Sequence, residues 1–189
     1  MPDWLDEAGA IIAAIGTDRF SRTLSTSLQN VTGFDYTVIF GYLGQARPID
    51  LYDDFPKSKR KIIVEDYQEG PYLLDPFYLA SATSVEPGLY RLRDLAPDRF
   101  YQGEYFRNYY IQTGLAEEIC FVVDLPSEAT VCVSLMRADK AFTAKEFREL
   151  GRTWPVVSEA CRHHWNDLSG EFGRKSDCRY DENLDIPVP

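Results

Sequence analysis

Apolar positions recur along the chain in two rhythms, and the changes of rhythm mark its elements. Trp4, Leu5, Ala8, Ile11, Ile12 and Ile15 follow helical i, i+4, i+7, i+8 spacing behind Asp3, a candidate N-cap, and predict an amphipathic helix over 3–15 that stops near Gly16. Thr17 is placed to cap a second helix, with Phe20, Leu24, Leu28 and Val31 as its apolar row and Gly33 at its end. The period then drops to two. Phe34, Tyr36, Val38, Phe40 and Tyr42 share one face of a strand, with Thr37 and Ile39 on the other. The turn residues Gly44 to Pro48 lead into a second strand near Ile49–Tyr52, so a hairpin is expected at about 35–53.

Residues 57–67 read as helical, and a short helix is expected from Leu73 to Ala80, because Pro76 is tolerated in a first turn but not deeper. Gly88 to Leu92 reads as a short strand. A helix over 97–112 would carry Phe100, Tyr101, Tyr105, Phe106, Tyr109 and Tyr110 and stop at Gly114. Glu118–Leu125 and Val131–Met136 alternate about turn-forming residues and predict a second hairpin. Thr143 and Glu146 form a capping box for a last helix reaching Trp165, along which Phe147, Leu150, Trp154, Val157 and Cys161 lay a heptad-like seam. That seam suits either core packing or a dimer face, and Pro155, with Gly151 four residues before it, predicts a kink. After Trp165 periodicity ends. Residues 166–189 hold six acidic and three basic residues with scattered Gly and Pro and read as a linker or tail, leaving 1–165 as the folded domain. The order of elements predicts an α+β fold, an α/β/α sandwich with a central antiparallel sheet flanked by helices, the architecture of small sensory domains.

A chain of 189 residues, 44% apolar, is one ordinary domain able to bury its own core. Its formal net charge of −10 repels phosphates, which makes nucleic acid a poor partner for this chain alone. The basic run Lys57, Lys59, Arg60 and Lys61 is flanked by Asp53, Asp54, Glu65 and Asp66 and reads as a solvated helix face, with a docking patch as the alternative. Cys120, Cys132, Cys161 and Cys178 form no CxxC pair, which favours a reducing cytoplasm. No apolar stretch approaches about 20 residues and the N-terminus opens acidic, so neither membrane insertion nor export is expected.

Chemistry-bearing patterns are few. The only histidines, His163 and His164, are adjacent on a helix and point about 100° apart, so they cannot converge on one metal or nucleophile and are expected at the surface or a dimer face. No phosphate-cradling glycine motif occurs, and no cofactor or metal is expected. Asp53–Asp54 and Glu117–Glu118 are carboxylate pairs on strands, where neighbours face opposite ways, and they read as solvated edges. The signal that stands out is aromatic: eleven rings fall between Tyr67 and Tyr110, eight of them tyrosines. Tyr105/Tyr109 and Phe106/Tyr110 are helical i, i+4 rows. They fit plain core packing, or the walls of a pocket whose hydroxyl tips supply directed polar contacts. Asp75 lies in the apolar run Tyr72-Leu-Leu-Asp-Pro-Phe-Tyr-Leu-Ala80, where it can cap a short helix, face a cavity, or do both with its two oxygens.

Four segments carry a resemblance: Tyr67-Gln-Glu-Gly-Pro-Tyr-Leu-Leu-Asp-Pro-Phe-Tyr78, Gly88-Leu-Tyr-Arg-Leu-Arg-Asp-Leu-Ala-Pro-Asp-Arg-Phe100, Glu104-Tyr-Phe-Arg-Asn-Tyr-Tyr110 and Gly114-Leu-Ala-Glu-Glu-Ile119. Together with Ser134-Leu-Met-Arg137 and Phe142-Thr-Ala-Lys-Glu146, they resemble the N-terminal region of a group of LuxR-type helix-turn-helix transcriptional regulators, over about residues 30–165. Tyr72-x-x-Asp75-Pro76 is similar to the element of acyl-homoserine-lactone receptor domains whose aspartate accepts a hydrogen bond from the ligand amide. The resemblance implies that role for Asp75, with Tyr67 and Tyr72 nearby. The tryptophans that accompany this element in that family have no counterpart, since Trp4, Trp154 and Trp165 lie in the terminal helices. The ligand therefore stays open between an acyl-homoserine lactone and another small molecule sensed by a GAF- or PAS-like domain.

The expected function is that of a cytoplasmic ligand-sensing domain without enzyme activity. Its partners would be a small molecule bound by Tyr67, Tyr72, Asp75, Phe77, Tyr105 and Tyr109, a second copy in a homodimer, and DNA only through a following helix-turn-helix that this chain does not include. A ligand-free interaction module would instead show a filled core and an exposed apolar patch. A small enzyme using Asp75 and Glu118 as acid and base would show an open cleft.

Overall fold

In the computed structural model, which describes residues 3–83 and 85–172, five strands form one antiparallel sheet in the order β2-β1-β5-β4-β3. They are β1 (Tyr36–Tyr42), β2 (Ile49–Asp53), β3 (Gly88–Arg91), β4 (Glu117–Asp124) and β5 (Thr130–Arg137). Both expected hairpins form, and β1 pairs with β5 from Tyr36↔Met136 to Tyr42↔Thr130, joining them at the centre of the sheet. Alternation then sorts the side chains onto two faces. Ile39, Ile119, Phe121, Val123, Val133 and Leu135 face one core, covered by α1 (Trp4–Ala14), α2 (Phe20–Val31), α7 (Ala144–Gly151) and α8 (Trp154–His164). Val38, Phe40, Tyr42, Cys120, Val122, Cys132 and Met136 face a second, aromatic core drawn largely from residues 55–110. The expected α/β/α sandwich is present.

The aromatic layer is less regular than its spacing predicts. α3 (Lys57–Arg60) runs into a π-helical turn, Lys61–Asp66, and a 3-10 turn, Pro71–Leu74, leads into α4 (Pro76–Ala82). After α5 (Leu92–Leu95), the helix expected over 97–112 is divided into a 3-10 turn at Phe100–Gln102, a π-helical turn at Phe106–Tyr110 and α6 (Ile111–Thr113). Extended backbone at Gly103 makes the division, and Gly114 ends the last piece at φ 66°, a conformation that glycine adopts without steric cost.

The last helix also divides. Its capping box forms as expected, but α7 stops at Gly151 and α8 restarts at Trp154 behind Thr153. Pro155 has no amide hydrogen to continue the ladder, and the Thr153 hydroxyl bonds back to the Leu150 carbonyl. Leu150, Val157 and Cys161 are buried in the first core, with Phe147 and Trp154 packed against it. The seam is thus engaged in core packing, with Phe147 and Trp154 only partly covered. His164 is half-buried rather than a surface group: it stacks on Phe20 at 4.1 Å, and its Nδ1 accepts the Gly16 amide at 3.0 Å. Leu168 and Phe172 return to the core, so packing continues beyond Trp165; residues 173–189 of the expected tail lie outside the described residues.

Other expectations are corrected locally. The Thr17 hydroxyl donates to the Ala14 carbonyl at the end of α1 instead of capping α2, and Phe34 precedes β1 and packs into the opposite core. Of the two carboxylate pairs, Asp53–Asp54 does stand at the end of the edge strand β2 with Asp54 exposed, whereas Glu117–Glu118 is not a solvated edge. β4 lies between β3 and β5 with both faces covered, so Glu117 and Glu118 are each 8% exposed. Glu117 takes Nη1 of Arg91 at 2.6 Å and the Phe142 amide, while on β2 Asp53 takes Nε of Arg60 at 2.9 Å. Asp54 takes the Thr37 amide at 2.7 Å. The basic run is compensated: Arg60 also reaches Asp50 and Glu65, Lys61 pairs with Asp66, and Lys59 donates to the Thr113 carbonyl. Among the described residues no helix is long and apolar enough to cross a membrane.

Candidate functional site

The aromatic layer closes over a cavity of about 20 Å³, room for roughly one water molecule. Its floor is the sheet, with Phe40 and Tyr42 from β1, Glu118 from β4 and Ser134 and Met136 from β5. Its roof comes from Ile63, Tyr67, Asp75, Tyr105, Tyr109 and Tyr110. Both π-helical turns contribute, the first through Ile63 and the second through Tyr109 and Tyr110. Such turns are rare in helices and recur at functional sites.

Asp75 has both roles its sequence context allows. It is the N-cap of α4, with Pro76 in the first turn, and its Oδ1 accepts the Phe77 amide at 2.9 Å. Its Oδ2 accepts the Tyr67 hydroxyl at 2.6 Å. Tyr42 and Tyr67 hydroxyls lie 2.8 Å apart. Since Tyr67 commits its single proton to Asp75, Tyr42 donates to Tyr67, giving a directed relay Tyr42→Tyr67→Asp75. Burial pushes the Asp75 carboxyl up from its ordinary value, and the bonds from Tyr67 and Phe77 oppose that shift.

Glu118 is a second buried carboxyl on the same cavity. Burial pushes it up, the charge of Asp75 pushes it further, and the Ser134 hydroxyl on the neighbouring strand opposes both. Tyr105, also 8% exposed, lines the cavity, and burial pushes its hydroxyl up from its ordinary value. The Tyr109 hydroxyl donates to the Ile63 carbonyl at 3.4 Å. A neighbouring cavity of about 170 Å³, lined by Leu92, Phe100 and Phe106, shares Tyr110, Leu115 and Glu118 with the first.

Of the six expected ligand residues, Tyr67, Asp75, Tyr105 and Tyr109 line the cavity and two do not. Tyr72 is half-buried behind it, edge-on to Tyr67 and Tyr78 at 6.2 and 5.1 Å. Phe77 is buried in the core and reaches the site only through its amide. Sequence reasoning missed Tyr42, and it named Glu118 only as the partner of Asp75 in the enzyme alternative, not among the ligand residues. Tyr42 was legible as the last member of the β1 aromatic face, whereas Glu118 carried no signal beyond being a carboxylate beside an alternating strand. Asp75 and Glu118 do share one small space, and both are buried. Among the described residues no group of three or more His, Cys, Asp or Glu side chains could hold a metal ion.

No protein-family model matches the sequence. Over 93 residues the chain is 29% identical to a protein of Aeromonas salmonicida described as an HTH-type transcriptional regulator in the exeN 3′ region, a match covering 48% of this chain and 47% of that relative. The chain thus spans about half the length of the curated relative it matches. Among solved structures it is similar to the VqsR LBD domain of Pseudomonas aeruginosa, with a TM-score of 0.73, 24% identity, and coverage of 87% of this chain and 97% of that one. CepR2 of Burkholderia cenocepacia, an N-acylhomoserine-lactone-dependent LuxR-family transcription factor, gives 0.63 at 16% identity, covering 86% and 93%. Escherichia coli SdiA gives 0.57 at 14%, covering 98% and 73%. These neighbours are regulatory domains rather than enzymes. The chain has the fold of the LuxR-family autoinducer-binding domains.

Proposed function

We propose that this chain is the ligand-sensing domain of a LuxR-type transcription regulator, without enzyme activity, acting in the cytoplasm. Residues 1–165 and the packed segment up to Phe172 form the sensor, and the chain beyond leads toward a DNA-reading helix-turn-helix. A small molecule enters the Asp75 cavity, and its binding controls dimerisation or the placement of the DNA-binding domain. The observation that carries this reading is the buried Asp75 carboxylate, aimed by Tyr67 and the Phe77 amide at an internal cavity of this fold. Native mass spectrometry of the chain purified from its host cytoplasm should reveal a retained compound of a few hundred daltons. Asp75→Asn should weaken its binding by more than about 1.5 kcal/mol, the worth of a charge-assisted hydrogen bond. Unchanged affinity in the variant would remove Asp75 from the ligand site, and an empty protein would count against the sensor reading.

The tightness of the cavity favours a second reading, a ligand-free interaction module with a filled aromatic core. Leu73, Leu74 and Leu79, all exposed on the 3-10 turn and α4, would then be partner contacts. In that case their replacement by polar residues abolishes partner binding, whereas replacement of Asp75 by Asn does not.

A further inference from the structure

Asp75 and Glu118 are two buried carboxyls facing one space, and neither has a Lys, Arg or His counter-charge among the described residues. Burying a carboxylate without a cation is costly, and burying two on one cavity adds their mutual repulsion. Elsewhere this protein does neutralise its buried acids: Glu117 has Arg91, and Asp53 has Arg60. The cavity is therefore the exception, and its remaining walls suit a positive charge. The rings of Phe40, Tyr67 and Tyr109 and the hydroxyl of Tyr105, an acceptor as well as a donor, line the same space. A volume of about 20 Å³ matches an ammonium group, which is close to water in size.

We infer that the ligand is a primary organic amine, bound with its ammonium head between Asp75 and Glu118 and its apolar stem running past Tyr110 and Leu115 into the neighbouring cavity. This rests on the sensor reading above and names the ligand class for the same site. The adjoining space of about 170 Å³ is lined by Arg93 and Glu117 as well as by Leu92, Phe100 and Phe106, and it is along this apolar wall that a short hydrocarbon chain fits. The absence of a three-ligand acidic or histidine cluster among the described residues argues for an organic cation over a metal ion. Glu118 is the specificity determinant: a neutral amide or lactone satisfies Asp75 but leaves Glu118 with the Ser134 hydroxyl alone and no cation.

The test compares two probes of one shape, n-hexylammonium and 1-hexanol, by calorimetric titration of the full chain near pH 7. Hexylammonium should bind at least tenfold more tightly than hexanol. It should also release protons, read as a buffer-dependent heat, because its charge draws both raised carboxyls into the ionised form. Glu118→Gln keeps the shape and mimics the protonated acid, so it should fold, lose at least tenfold in hexylammonium affinity, leave hexanol unchanged and diminish the proton release. Equal affinity for the two probes, or hexylammonium binding that is unaffected by Glu118→Gln, overturns the amine assignment. A neutral hexanamide probe, which donates an N–H to Asp75 without carrying charge, separates the two levels of argument. If it binds and Asp75→Asn abolishes that binding while hexylammonium fails, the ligand site stands and the amine class falls. If no probe binds, both fall.

Discussion

Tyr67 donates its hydroxyl to Oδ2 of Asp75 at 2.6 Å, across a buried distance of eight residues in sequence. That bond joins the helix-capping function of Asp75 to the sheet, because Tyr42 on β1 donates in turn to Tyr67. Tyr67→Phe removes the middle of the relay and leaves one Asp75 oxygen and the Tyr42 hydroxyl without partners. It should cost about 1–3 kcal/mol of stability in urea denaturation. Tyr72→Phe, whose ring only stacks from behind, should change stability by less than about 0.5 kcal/mol.

The cavity carboxyls set a pH dependence opposite to the usual one. Asp75 and Glu118 are both raised in the folded state, so the native protein holds their protons more tightly than the unfolded chain does. Their contribution to stability is fully present below the ordinary carboxylate value of about 4 and is lost as pH rises through the raised values. Thermal denaturation should therefore show a lower midpoint at about pH 8 than at about pH 5. Glu118→Gln should remove much of that difference and stabilise the protein at the higher pH by about 1–3 kcal/mol, the cost of leaving a buried polar group uncompensated. A midpoint that rises between those two pH values in the wild type but not in Glu118→Gln would reverse the assignment.

Glu146 behaves in the opposite sense. The hydrogen bond from Arg137, then the Thr143 amide, hold its carboxyl down to about 2 from an ordinary 4.5. A lowered carboxyl stabilises above its ordinary value and loses that contribution as pH falls toward the lowered one, so α7 should loosen between about pH 4.5 and pH 2. Circular dichroism of wild type and Glu146→Gln through acid titration should converge at the low end. Thr143→Ala, which deletes the other half of the capping box, should cost about 0.5–2 kcal/mol at neutral pH.

The Arg91–Glu117 pair is buried on both sides, at 7% and 9% side-chain exposure, with the guanidinium over the Phe147 ring. Glu117→Ala leaves an unpaired internal cation and should cost about 3–5 kcal/mol. Glu149→Ala, in an exposed pair with Arg152, should cost less than about 1 kcal/mol. Equal losses in the two variants would mean that burial does not govern these pairs.

What the sequence disclosed follows from which properties are local. The β1 alternation, the Thr143–Glu146 box and the Asp75-Pro76 cap are short-range patterns, and each forms as read. Glu118 was misread because its environment depends on β4 being an inner strand covered on both faces, which pairing between distant segments decides. Gly103 and the two π-helical turns broke periodic helices for the same reason: tertiary packing overrode spacing. Phe77 shows a further limit. Its place in the run predicted a wall, but the helix phase turns its ring into the core and offers only its amide. Whether the aromatic cluster is hollow is a matter of volume, to which periodicity is blind.

The connectivity of the sheet has a kinetic consequence. The chain between β2 and β4 forms most of the aromatic layer, and within it only the four-residue β3 joins the sheet, at its edge. The β1–β5–β4 centre packs through its other face on the opposite core, which draws little on that layer. The segment can therefore detach as one cooperative unit while the rest stays native, an opening far cheaper than global unfolding. Its amides, from Lys57 to Thr113, should exchange with deuterium together and well ahead of those of β1, β4 and β5.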